Sequence, residues 1–190
     1  MRSFRSLFIL ILFCVGTLHA VVGDWVSFGS QLTLNDLHLS GNILRSSSHG
    51  GMVVFNMNDE TFSTENNTDF LEHIDILRYY VSPDGSEWFS YASGVSGISY
   101  HTPEGYSDYF DYDFVEANAF TGNEDQVLTV YMNDFIPEIA HFVKNNNRYV
   151  FQDTYNQFPE DPEHIYDITL VGDSIYLATD KGLIRSFSFV

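Results

Sequence analysis

The stretch that decides the fold is IYDITLVGDSIYLATDKGLIRSF, residues 165–187. Ile168 and Leu170 alternate with polar residues, and so do Ile175 and Leu177. A two-residue period marks a strand with one buried face. Gly172-Asp173 separates the first two runs, and both residue types suit the positive φ of a tight hairpin. A second break precedes Gly182, where GLIRSF begins. The stretch reads as three short antiparallel strands.

The same order occurs three more times upstream: Asn35 to Phe55, Ile74 to His101 and Val115 to Phe142. Their first turns are Gly41-Asn42, Asp84-Gly85 and Gly122-Asn123. Their third runs open at Gly51, Gly97 and Glu138, so with Gly182 the repeat spacings are 46, 41 and 44 residues. Glycine at these openings fits a bend or a close backbone approach. ETFSTE, YSDYFDYD and NRYVFQDTY lie between the units and read as fourth strands. DWVSFGS, residues 24–30, precedes the first unit as a leading strand. Several short strands per unit at a period near forty residues predict an all-β chain, a β-propeller of about four blades. Two arrangements stay open. The ring closes at four blades, with DWVSFGS beside the last strands around Leu183 to Phe189, or these are the first blades of a longer propeller.

SPDGSEWFSYASGVSGIS and GDSIYLATDKGLIRSF resemble blades of the two-component-regulator type of β-propeller. The shared pattern is an Asp-Gly turn, an aromatic strand, a Thr-x-x-Gly-Leu break and an aromatic-ended strand. LNDLHLSGNILRSSSHGGMVVFNMNDETFS is similar to the leading blade of exported bacterial propellers of that group. The third unit departs from the pattern, with Glu138 where Gly is usual and no Trp. The resemblance covers most of residues 25–190 and implies a sensing or binding role, without catalytic residues to carry over.

Two segments carry helical spacing within this β frame. DFIPEIAHFVKN has apolar residues at 135, 139, 142 and 143, and TDFLEHIDILRYY at 70, 74 and 77. Their positions in the repeat favour strand, with at most a short helical turn.

The N-terminus has a different character. Arg2 and Arg5 precede an apolar run from Leu7 to Val15, and Gly16, Thr17 and Ala20 follow it. That order predicts a secretory signal peptide over residues 1–20, with cleavage after Ala20 or as late as Gly23. A β-propeller domain over 24–190 would follow, exported to the periplasm, the cell surface or the medium. Cys14, the single cysteine, lies within the apolar run, so the mature chain would hold neither disulfides nor thiolate metal sites.

The chain has 190 residues with 26 acidic and 8 basic side chains, a net charge of −18. Losing the two arginines of residues 1–20 would bring it to −20. Such a chain lacks the Lys/Arg clusters that bind nucleic acid or anionic membranes, and no membrane insertion is expected after signal removal.

Chemistry-bearing motifs are few. VGDSIYL with DPEH invites a Ser174–His164 nucleophile pair, but the turn expected at Gly172-Asp173 already explains the tripeptide. His38, His49, His73, His101, His141 and His164 are scattered, without zinc-ligand spacing. NMNDETFSTENNTD and DYFDYD concentrate oxygen ligands but match no calcium loop, so calcium is expected as a weak structural ion at most, and no cofactor is expected. Tyr106, Tyr109 and Tyr112 alternate with acids and suggest an exposed aromatic surface. No catalytic or cofactor residue is assigned. The leading reading is a non-enzymatic exported propeller that binds a protein, peptide or glycan. The alternatives are a sensory or assembly N-terminal module of a larger surface protein, and an exported hydrolase or lyase with an acidic or metal site.

Overall fold

A computed structural model of the chain describes residues 33–66, 71–92, 97–111 and 114–186. The expected N-terminal signal with Cys14, the expected leading strand DWVSFGS, Tyr112 and residues 187–190 lie outside these residues. The described residues contain fifteen strands and no helix. They form four antiparallel meanders in chain order. Unit 1 is β1 (Leu34–Ser40), β2 (Ile43–Ser48), β3 (Gly51–Asn56) and β4 (Thr61–Glu65). Unit 2 is β5 (Ile76–Val81), β6 (Glu87–Tyr91), β7 (Gly97–His101) and β8 (Ser107–Asp111). Unit 3 is β9 (Val115–Gly122), β10 (Gln126–Asn133), β11 (Ile136–Asn145) and β12 (Arg148–Tyr155). Unit 4 is β13 (Ile165–Val171), β14 (Ser174–Thr179) and β15 (Gly182–Ser186).

The first strands line up in succession: β1 packs on β5, β5 on β9, and β9 on β13. Each inner sheet therefore buries both faces, one against each neighbouring unit. β10 shows how the sequence does this. Val127 and Tyr131 enter the core shared with unit 2, while Leu128 and Val130 enter the core shared with unit 4. A strand's side chains alternate between faces, so one strand serves two cores.

The core accordingly has three parts, one at each junction. Met52 of unit 1 meets Ile76, Tyr79, Phe89 and Tyr91 of unit 2. Trp88 lies between units 2 and 3, with ring centroids 5.1 Å from Tyr100, 5.2 Å from Phe142 and 4.8 Å from Tyr149. Between units 3 and 4 the core is mainly aliphatic, with Leu128, Ile139, Ile168, Ile175, Leu177 and Ile184. The blade arrangement is a β-propeller.

The expected turns stand where the sequence put them. Gly51 and Gly97 show why glycine opens a third strand. Their φ values are +106° and +147°, and a Cβ would come within 2.3 Å of the Glu65 carbonyl oxygen or 2.6 Å of the Tyr109 ring. Unit 3 corrects the repeat. Its third strand opens at Ile136, two residues before Glu138. The longer β10–β11 hairpin turns through Asp134 and Phe135, at φ +47° and +68°, and needs no glycine at its opening. Glu138 is buried instead, accepting hydrogen bonds from the Tyr131 hydroxyl, Asn133 Nδ2 and Asn156 Nδ2. The helical spacing of DFIPEIAHFVKN is overridden. Residues 136–145 form a strand, with Pro137 paired opposite Met132.

Candidate functional site

The first strand of units 1, 2 and 4 carries a bulge near its start, between Leu34 and Asp36, Ile76 and Arg78, and Ile165 and Asp167. In unit 3 the β9–β10 pairing is irregular, shifting between Val130 and Met132. An extra residue shifts the alternation and re-aims the side chains that follow it. The result places Asp36, Arg78, Asn118 and Asp167 along one cavity of 340 Å³ where the inner strands converge. A second cavity, of 530 Å³, shares Asn118 and Tyr166 with it and extends to Met132, Asp134, Phe135 and His164. Together they form one groove, polar toward units 1 and 2 and aromatic toward the β10–β11 hairpin.

The polar half is held by Arg78. Its Nε donates to the Asn118 carbonyl at 2.7 Å and its Nη1 to the Asn35 carbonyl at 3.3 Å, joining units 1, 2 and 3. Asn35 Nδ2 returns a bond to the Ile76 carbonyl at 2.8 Å. Asp36 accepts the Tyr79 amide at 3.3 Å and lies 3.9 Å from Arg78 Nε. Burial holds the Asp36 carboxyl above the ordinary carboxylate range, against the pull of the Tyr79 amide and Arg78, and the charge of Asp167 adds to the rise. Tyr80, on the same wall, is pushed up to about 12 by burial and by Asp84, so its phenol stays neutral.

The aromatic half is open. Phe135 is 94% exposed at the hairpin tip and Tyr166 is 62% exposed on the β13 bulge. His164 stacks near Tyr166, with centroids 6.2 Å apart. A phenylalanine at positive φ with its ring in water is costly on both counts, and such costs concentrate at functional sites.

The residues singled out by sequence have other places. His164 and Ser174 stand near opposite ends of β13, a strand about 20 Å long. Ser174 Oγ accepts Arg185 Nη2 at 3.0 Å, in the turn. The histidines are dispersed. His49 contacts Asp75 at 2.5 Å, His73 packs on Tyr91 and Tyr109, and His141 bonds Gln126 at 2.8 Å. Among the described residues no three His, Cys, Asp or Glu side chains come together as a metal site. The carboxylate and amide of Asp59 and Asn56 cap their own turn, bonding the Thr61 and Asn58 amides. Of the tyrosines, Tyr106 is exposed beneath the Arg148 guanidinium, 4.8 Å from its ring, whereas Tyr109 packs against Tyr91 and Gly97.

The groove residues Asp36, Arg78, Asn118 and Asp167 were not singled out in the sequence. Their signal is a polar residue near the start of each first strand, third in β1, β5 and β13 and fourth in β9, spaced 42, 40 and 49 residues apart. The bulges hid it, because they break the two-residue alternation just where these residues stand.

No protein-family model and no curated protein matches the sequence. Solved structures do match. An extracellular domain of a hybrid two-component system of B. thetaiotaomicron is 12% identical with a TM-score of 0.62, covering 85% of this chain and 21% of that one. A second such domain from B. thetaiotaomicron is 14% identical with a TM-score of 0.58, covering 81% and 20%. A gluconolactonase of Xanthomonas campestris is 10% identical with a TM-score of 0.58, covering 82% and 62%. At these identities the likeness establishes the propeller fold alone. The chain spans about a fifth of the length of the two extracellular domains.

Proposed function

We propose that the chain is an exported, non-catalytic propeller module that binds an extracellular peptide or glycan in the groove between Asp36 and Phe135. The observation that carries this reading is the pairing of exposed Phe135 and Tyr166 with a polar wall that is already anchored. Arg78 and Asp36 are engaged by neighbouring backbone, so they present fixed partners for a ligand. Preorganised polar groups beside an apolar platform are how binding sites fix orientation. Aromatic rings accept the flat apolar face of a sugar or a peptide side chain, and Tyr166 adds a hydroxyl. With Asp36, Asp134 and Asp167 along the groove against Arg78 and the imidazole of His164, the ligand is neutral or basic rather than anionic.

A sensory role within a larger surface protein is the second reading. Its support is the likeness to the extracellular domains of hybrid two-component systems, of which this chain spans a small share.

Calorimetric titration with neutral oligosaccharides and with lysine-bearing peptides tests the groove. Binding to one class should weaken at least tenfold in Tyr166→Ala and in Asp167→Asn. Unaltered affinity in both variants would remove the groove as the site.

A further inference from the structure

The polar half of the groove is one-sided in its chemistry. β13 pairs Ile165 with Thr179 and Asp167 with Ala178, which leaves Tyr166 as the extra residue of the bulge. Neighbours on a regular strand point to opposite faces. Here Tyr166 and Asp167 line the same 340 Å³ cavity, so the bulge sets an exposed aromatic ring and an exposed carboxylate side by side. Asp36 stands on the wall of the same cavity.

Acceptors in this cavity outnumber the donors that could serve them. Asp36 Oδ2 takes the Tyr79 amide at 3.3 Å, and Asp167 Oδ1 takes the Ile168 amide at 2.9 Å. The second oxygen of each carboxylate accepts no hydrogen bond among the described residues. Asn118 Oδ1, on the wall shared with the second cavity, is buried and has no hydrogen-bond partner among them either. An unpaired buried acceptor is costly, and a small turn of the amide presents this one to a donor in the cavity. Arg78 has its Nε and Nη1 engaged by the Asn118 and Asn35 carbonyls. Charge runs the same way. Two carboxylates face one guanidinium in the polar half, a surplus of one negative charge when both are ionised. The Asp36 carboxyl registers that surplus. Burial, with the charge of Asp167 added, keeps it above the ordinary carboxylate range although Arg78 and the Tyr79 amide pull it down.

We infer that the polar half of the groove takes an organic cation on an apolar stem, the chemistry of a lysine or arginine side chain, and that the ligand is a basic peptide; the assignment rests on the groove being the binding site. The cation lies between the Tyr166 ring and the carboxylates of Asp167 and Asp36. It supplies donors to their free oxygens and balances the surplus charge. The face of an aromatic ring attracts such a cation. The stem lies along Met132 and Phe135 in the 530 Å³ cavity, which meets the polar one at Asn118 and Tyr166. Basic side chains pack in this way, stem on apolar surface and charged head beyond it. A sugar hydroxyl would bond the free oxygens but leave the surplus charge in place.

Calorimetric titration at neutral pH tests the cation separately from the groove. The probes are capped Gly-Gly-Lys-Gly-Gly, its arginine counterpart, its Nε-acetyl-lysine counterpart and maltopentaose. Each is titrated into the wild type, Tyr166→Ala and Asp167→Asn. Acetylation removes the charge and keeps the stem. Asparagine at 167 removes the charge and keeps an acceptor for the Ile168 amide. A basic peptide should bind the wild type at least tenfold more tightly than the acetylated one. Asp167→Asn should cut that preference at least fivefold, and Tyr166→Ala should weaken the basic peptide about tenfold. Equal affinity for the lysine and acetyl-lysine peptides would overturn the cation, as would the absence of binding by either basic peptide at millimolar concentration. In both cases the groove stands as the site if maltopentaose or the acetylated peptide binds and is weakened by Tyr166→Ala. Ligands that bind the wild type and both variants alike would overturn the groove, and this inference with it.

Discussion

The junction between units 2 and 3 and the junction between units 3 and 4 use opposite chemistries to the same end. The first is aromatic and tied by directional bonds. Tyr100 donates its hydroxyl to the Tyr149 carbonyl at 3.2 Å and accepts the Tyr149 amide at 3.0 Å. Asp84 adds a lock at the β5–β6 turn, taking Lys144 Nζ at 2.6 Å, the Tyr149 hydroxyl at 2.8 Å, and the Ser86 amide and hydroxyl at 3.0 and 2.8 Å. The second junction is a mainly aliphatic bed of Ile and Leu, and the Leu170 amide crosses it to Thr121 Oγ1 at 2.9 Å. Aliphatic packing tolerates exchange of similar shapes, whereas rings and buried polar groups fit in one arrangement. Units 2 and 3 therefore set the geometry of the module, and unit 4 is held by area.

The largest test of this contrast is Trp88→Ala. Trp88 is fully buried and touches the rings of Tyr100, Phe142 and Tyr149. Its removal should cost about 4 kcal/mol in urea unfolding. A loss below about 2 kcal/mol would mean that the aromatic junction repacks and is no more specific than its neighbour.

Next in size is Asp84→Asn, expected to cost about 3 kcal/mol because Lys144 is left without its partner at a site where the carboxylate is nearly buried. Lys144→Met, which removes the cation and keeps the apolar stem, should cost less. Burial alone would raise the Asp84 carboxyl, but Lys144, the Ser82 hydroxyl, the Ser86 amide and Tyr149 outweigh it and hold it well below its ordinary 3.8. A carboxyl depressed in the fold contributes its stability above the unfolded pKa and loses it as pH falls. The wild-type advantage over Asp84→Asn should be flat above about pH 5 and shrink below pH 4. An advantage independent of pH down to 2 would show that the lock is not ionic.

The same contrast explains what the sequence could disclose. Strands, turns and the blade period are local, so Gly41, Asp84-Gly85 and Gly172 announced them. The aliphatic junction was equally visible, since Ile168, Ile175 and Leu177 sit on a strict two-residue alternation. The lock was invisible because Asp84 and Lys144 are sixty residues apart, and an Asp in an Asp-Gly turn has a sufficient local reason to be there. Glu138 misled for a related reason. It was aligned with glycines, although the turn residues Asp134 and Phe135 had already lengthened that hairpin. Groove residues on bulged strands escaped the periodicity that found their neighbours.

The smallest test is Ile168→Val at the aliphatic junction. Ile168 is buried with Leu177 and Ile184 in one cross-strand row, and the substitution removes a single methyl group without changing the branching at Cβ. A bed of aliphatic chains relaxes around so small a loss, so the expected cost is about 1 kcal/mol. The informative quantity is its coupling to Trp88→Ala. The two residues belong to separate cores on opposite faces of unit 3, and distant sites add. A double variant whose cost matches the sum within about 0.5 kcal/mol would show that each junction is stabilised by its own contacts. A clear departure from the sum would show that unit 3 transmits strain from the aromatic junction to the aliphatic one, and that unit 4 depends on the geometry of units 2 and 3 as well as on buried area.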